Sequence, residues 1–253
     1  MQHGADSWGV RQEETSMDAY EARPAYGVES PVATAERVTA FLRGVYGWMC
    51  VGLGVTAAVA LGVAGSPGIV RALVTNQLLF FALIVGELGL VFYLSARVAS
   101  IAPGTASALF VVYSALNGIT LSLILLAYTG QSVASTFVVC AVMFGALALY
   151  GTTTTRSLAG IGQFAFMGLI GIIAASIVGI FWHNNALQFV IACAGVVVFT
   201  GLTAWDAQRL KAMAAALPEG QVGSYTIVGA LSLYLDFINL FLMLLRFMGG
   251  RRD

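Results

Sequence analysis

Glu87, Asp206 and Asp236 stand in stretches of chain otherwise apolar enough to span a bilayer. An ionisable group in hydrocarbon is costly and marks an ion pathway, a proton relay or a paired charge. Two carboxylates that share such a site cannot both ionise cheaply, so one proton tends to be held between them. Loss of that proton would load the site with repelling negative charge and draw in a cation. A hard divalent ion such as Ca²⁺ takes several oxygen ligands, and Asp206 and Asp236, with Asn239 or exposed carbonyls, could supply a transient, weak site for it. Arg97 could instead pair with Asp206 and hold such a path shut. Whether the two aspartates meet depends on where their helices begin. Counting the last span from residue 226 puts Asp236 ~15 Å inside one boundary, and starting it at Gly229 brings it ~4 Å nearer to Asp206.

The elements that must position these groups are read from hydropathy. Of 253 residues, 59% are hydrophobic and only 9% are charged, with the charge gathered near the two ends. A helical span needs ~20 mostly apolar residues to cross ~30 Å of hydrocarbon. Seven segments meet that length, at about 45–64, 77–96, 105–128, 132–151, 162–181, 187–208 and 226–247. The expectation is an all-α integral membrane protein with seven transmembrane helices. In the last span Tyr225, Gly229, Ser232, Asp236, Asn239, Met243 and Arg246 recur at spacings of four and three, which is one stripe on a helix. Lipid cannot satisfy such a stripe, so it must face protein or a water-filled cavity. That places the last helix at the centre of the bundle. Shorter sets, Tyr113, Asn117 and Thr120 in the third span and Gly168, Gly171 and Gly179 in the fifth, read as helix packing.

Orientation follows from the loops. With a cytoplasmic amino terminus, Arg37, Arg43, Arg97, Arg156, Arg209 and Lys211 lie on the cytoplasmic side and only Arg71 lies opposite, in accord with the positive-inside rule. Seven crossings then put Arg246, Arg251 and Arg252 outside, against the rule, unless one segment re-enters without crossing. Seven crossings is the expectation retained. Residues 1 to about 35 are acidic and poor in apolar groups, and carry Pro24 and Pro31, so they read as a disordered tail and not as a signal peptide. Residues 36–253 form the membrane domain. Cys50, Cys140 and Cys193 each fall within a span without CxxC spacing, and read as apolar filler. No basic patch for nucleic acid and no resident cofactor is expected.

Other chemistries fit less well. Intramembrane aspartyl proteases also place two aspartates on membrane helices, but they carry GxGD where this chain has LYLD before Phe237. The two histidines, His3 and His183, lie in the tail and a short loop, which leaves no buried base for a serine nucleophile, so no enzyme activity is expected. A proton-coupled transporter often shows repeated halves and broken helices. Neither an internal repeat nor a proline within a span is present, with Pro67 and Pro103 read as loop residues.

Several stretches together carry a resemblance: ELGLVFYLSAR at Glu87 to Arg97, YSALNGITLS at Tyr113 to Ser122, ASTF followed by MFGALALYG, AWDAQRLK at Ala204 to Lys211, and LYLDFINLFLMLLR at Leu233 to Arg246. In this order and spacing the chain resembles the bacterial branch of the Bax inhibitor-1 family over about residues 37 to 249. The resemblance implies a seven-helix protein of the bacterial inner membrane whose last helix is central, with a pH-sensitive calcium leak governed by an aspartate pair. Carried over by motif, the pair is Asp206 within WDAQ and Asp236 within YLDFINLF, with Glu87 and Arg97 as gating or pathway residues. Trp205 and Ala207 replace the tyrosine and threonine common around the first aspartate, and the segment between the aspartates looks longer than in better-known relatives. The resemblance also implies a possible partner, the membrane-bound AAA protease, for which the acidic tail would suit recruitment.

Overall fold

A computed structural model of the chain describes residues 31–182, 184–218 and 221–250. Eight helices occupy them: α1 Pro31–Ala64, α2 Pro67–Thr75, α3 Gln77–Arg97, α4 Pro103–Ala127, α5 Gly130–Thr153, α6 Ala159–Phe181, α7 Asn185–Ala216 and α8 Val222–Met248. All but α2 are long and apolar enough to cross a membrane, and the protein is an all-α integral membrane protein. Helix is the form a spanning segment must take, because its backbone groups find no partner in hydrocarbon except within the segment. Proline opens α1, α2 and α4, where its missing N–H is no loss and its fixed φ already suits a helix. Pro67 and Pro103, expected in loops, are therefore helix starters. Asn76, Thr129 and Asn184 cap α3, α5 and α7 by accepting from the backbone N–H of Leu79, Ser132 and Ala186.

The seven expected spans correspond to α1 and α3 to α8. Two of them run further than the apolar windows. Helix α7 continues past residue 208 to Ala216 because its extension is tied to the end of α5 and the turn after it. Gln208 accepts from the Leu158 N–H and donates to the Arg156 carbonyl, both at 2.8 Å, and the Lys211 ammonium donates to the Thr152 carbonyl at 2.6 Å. The Ala-rich end of α7 adds strong helix formers. Helix α1 begins at Pro31, not near residue 45, and it buries Phe41 and Val45. The remainder of the tail, residues 1–30, for which disorder is expected, lies outside the described residues. The short α2 between the first two spans has no counterpart among the expected elements.

Helix α8 holds the centre. Within its most apolar stretch 72% of residues are buried, against 6% in α3, so α3 lies at the rim and α8 touches lipid least. Its polar and small stripe packs on α7, where close approach is made by residues without bulk. A Cβ on Gly195 would overlap the Met243 side chain, and one on Gly229 would meet Leu210. Helices α5 and α7 approach still more closely, since Gly151 lies directly against the Ala204 backbone carbonyl. The faces of α8 turned away from α7 also lie inside the bundle, through Leu233, Tyr234, Phe237 and Leu240.

Candidate functional site

Asp206 and Asp236 come together across the α7–α8 contact. Both are buried, at 8% and 7% exposure. Ser232, one turn before Asp236 on α8, donates its hydroxyl to Asp206 Oδ2 at 2.5 Å. Asp236 in turn lies within electrostatic reach of the Asp206 carboxylate, and its Oδ2 is buried without a hydrogen-bond partner. A buried carboxylate oxygen with no donor is expensive to keep. The pair and the serine therefore form a three-membered site in which the buried Asp236 Oδ2 is left for a proton, a water or a cation.

Charge around the site is sparse. Arg209, one turn beyond Asp206, has its guanidinium carbon 5.4 Å from the Trp205 ring centroid, and acts on Asp206 electrostatically. Arg97 is exposed, and among the described residues no ion pair joins it to Asp206; its neighbours Ser95 and Val98 line the same cavity as that aspartate. The bond to Asp206 is made by the Ser232 hydroxyl. Asn239, three residues after Asp236 on the stripe, donates its amide to the Leu235 carbonyl of its own helix at 2.8 Å. Among the described residues no three His, Cys, Asp or Glu side chains gather as a metal site.

Two cavities lie along α8, one near each end. The first, of about 320 Å³, lies at the Arg97 end between α3, α7 and α8; Asp206, Arg209, Tyr225 and Ser232 line it, and Leu235 is its innermost residue on α8. The second, of about 590 Å³, lies at the other end, where Asn185, Gln188 and Arg246 line it and Leu242 is its innermost residue on α8. Leu235 and Leu242 are about 10 Å apart along the helix axis at ~1.5 Å per residue. Asp236 and Asn239 both lie between those two leucines.

Glu87 belongs to a separate polar cluster. It is half-buried and accepts from Thr120 Oγ1 at 3.0 Å and Asn117 Nδ2 at 3.5 Å. Asn117 Oδ1 accepts from the Tyr234 hydroxyl at 3.1 Å, and that hydroxyl pairs with Thr56 Oγ1 at 2.6 Å. Thr56 also donates to the Ser114 carbonyl at 2.9 Å. Tyr234 is fully buried, with Phe110 and Tyr113 edge-on at 5.7 Å. Asn117 and Thr120, read from sequence as packing residues, are thus the donors that hold Glu87. Thr56 and Tyr234 carried no signal beyond a hydroxyl in an apolar run, and Ser232 was visible only as part of the stripe. The three cysteines are free, and Cys140 donates weakly to the Phe237 carbonyl.

Comparison with known proteins meets this arrangement. The sequence profile of the family described as inhibitor of apoptosis-promoting Bax1 matches residues 38–253. The inner membrane protein YbhL of Escherichia coli strain K12 is 49% identical over 215 residues, which are 84% of this chain and 92% of that one. An uncharacterized protein of Borreliella burgdorferi is 43% identical over 215 residues, 84% of this chain and 93% of its own length. One from Caulobacter vibrioides is 40% identical over 223 residues, with 84% and 89% covered. A profile that spans nearly the whole described bundle, together with relatives of this identity and coverage, makes the chain a member of the Bax inhibitor-1 family.

Proposed function

We propose that the protein is a pH-sensitive cation leak of a bacterial inner membrane, permeable to Ca²⁺, with its amino terminus in the cytoplasm and with Asp206 and Asp236 as its proton-sensing gate. The observation that carries this reading is the placement of Asp236 on α8 between the two cavities, with one carboxylate oxygen buried and unpartnered. Protonation removes the repulsion between the two carboxyl groups and lets α7 and α8 stay closed. Deprotonation of both makes the contact repulsive and sets negative charge on the path, so the helices part there and a cation is drawn in. Carboxylate and carboxamide oxygens from Asp206, Asp236 and Asn239 suit a hard ion in transit, and their small number suits release. Flux should therefore rise with pH. The inner-membrane location of the Escherichia coli relative and the gathering of Arg97, Arg156, Arg209 and Lys211 at one end of the bundle support the assigned membrane and orientation.

The test is Ca²⁺ efflux from sealed vesicles over a pH series, for the native chain, Asp206→Asn, Asp236→Asn and the double variant. Each single variant should flatten the pH dependence, and the double should lose little more than either single, because both act on one shared proton. Absence of flux at every pH, or full pH dependence in the double variant, would overturn the proposal.

A further inference from the structure

A third cavity, of about 780 Å³, is unlike the two on the aspartate path. It lies between α1, α4, α5 and α8, and it begins at the ends of α1 and α4, beside Gly65 and Leu126. It runs inward to Leu53, Thr56 and Phe237. Its lining is apolar except for Thr56, whose hydroxyl is already engaged by Tyr234 and Ser114. Leu61, Phe137 and Val138 on its rim are 67%, 45% and 61% exposed, so it opens sideways into the lipid that surrounds the helices. An apolar space of this kind does not attract water, which needs polar partners to be held, and its size is that of a ligand cavity, ~300–1,000 Å³.

Its length identifies the occupant. From Leu53 to Ala64 helix α1 rises about 17 Å at ~1.5 Å per residue, and one leaflet of a hydrocarbon core ~30 Å thick is ~15 Å deep. The groove therefore starts at one interface and stops near the midplane, as a single acyl chain does. Ser66 and Ser132 lie one and two residues from the lining Gly65 and Gly130 at its interfacial end, and none of its inner wall competes for a headgroup. Phe237, Ile238 and Phe241 of α8 form that inner wall. We propose that this groove binds one acyl chain of a phospholipid from the leaflet at the Gly65 end, with its terminal methyl against Thr56 and Phe237. The bound chain then packs directly on the helix that carries Asp236. The site is read from shape and lining alone and does not rest on the leak.

The experiment uses the full chain in phosphatidylethanolamine and phosphatidylglycerol vesicles that contain a phosphatidylglycerol with a photoactivatable diazirine on one chain, either mid-chain or at the terminal carbon. After illumination, peptide mapping locates the adducts. The terminal probe should label the Leu53 to Ala57 and Phe237 to Phe241 peptides, and the mid-chain probe should label the region of Leu61 and Val133. Yields there should exceed those at the exposed α6 residues Phe166 and Ile173 by several-fold. Ala57→Phe and Ala134→Phe, each placing a ring in the groove, should cut groove labelling about five-fold and leave α6 labelling unchanged. Equal labelling of groove and α6 would show ordinary surrounding lipid only and overturn the proposal. So would a depth order that does not follow the probe position, a result read on the native chain and independent of how the variants fold. Because labelling is measured without ion flux, it stands or falls apart from the leak.

Discussion

The Thr56, Tyr234 and Asn117 chain yields a quantitative prediction from counting protons. The geometry offers three hydrogen bonds: Thr56 to the Ser114 carbonyl, Thr56 with Tyr234, and Tyr234 to Asn117 Oδ1. Each hydroxyl has a single proton to give, so only two of the three exist at once. Thr56 donates to Tyr234 and Tyr234 to Asn117, or Tyr234 donates to Thr56 and Thr56 to Ser114, or Thr56 donates to Ser114 and Tyr234 to Asn117. Tyr234→Phe leaves the Thr56 proton its backbone acceptor, so one bond is lost and Asn117 Oδ1 forfeits this donor. At about 0.6–1.5 kcal/mol per bond, with a further fraction for the acceptor, the cost is about 1–2 kcal/mol. For a chain of this size that is roughly 2–8 °C in Tm. Thr56→Val leaves the Tyr234 proton its Asn117 acceptor, so it costs about one bond as well. The double variant loses two, and the effects should add within ~0.5 kcal/mol although the side chains touch. Three independent bonds predict otherwise, since each single variant would then remove two and the double only three, a shortfall of about 1 kcal/mol from additivity. Thermal unfolding of the four proteins in one detergent distinguishes the two. A shortfall of that size, or a Tyr234→Phe variant as stable as the native chain, would refute the counting.

Two further outcomes follow from the helix contacts and the site. Gly151→Ala places a Cβ on the Ala204 carbonyl, a backbone atom that cannot turn aside, and should destabilise the α5–α7 contact by about 1–3 kcal/mol; Gly145→Ala, whose added Cβ meets nothing within 4 Å, should be neutral or slightly stabilising in the same unfolding measurement. Ser232→Ala removes the hydroxyl that favours the charged form of Asp206, so in the efflux assay the rise of flux should move to higher pH, while Arg97→Ala, at an exposed position, should leave the profile where it is; the reverse pattern would return the gate to Arg97.

What could be read in the sequence divides along a physical line. The stripe of α8 was legible because a helix repeats every 3.6 residues and a polar group in lipid has nowhere else to point, so period and position together imply a partner. The same stripe could not say how far Asp206 lies along α7. That helix runs to Ala216 because Gln208 and Lys211 meet backbone groups of the end of α5 and the turn after it, and such tertiary bonds leave no trace in hydropathy. Nor could it separate the roles of single hydroxyls. Asn117 and Thr120 look the same whether they pack a helix or hold Glu87, since the difference lies in a residue thirty positions away on another helix. The other faces of α8 carry the sharper lesson. Their Leu, Ile and Phe look suited to lipid, yet Leu233, Phe237 and Leu240 are buried in protein. Acyl chains are as apolar as leucine, so burial against a neighbour and burial in the bilayer select the same side chains. In a membrane bundle, centrality is therefore legible only through the few residues lipid refuses, and here those are Ser232, Asp236 and Asn239.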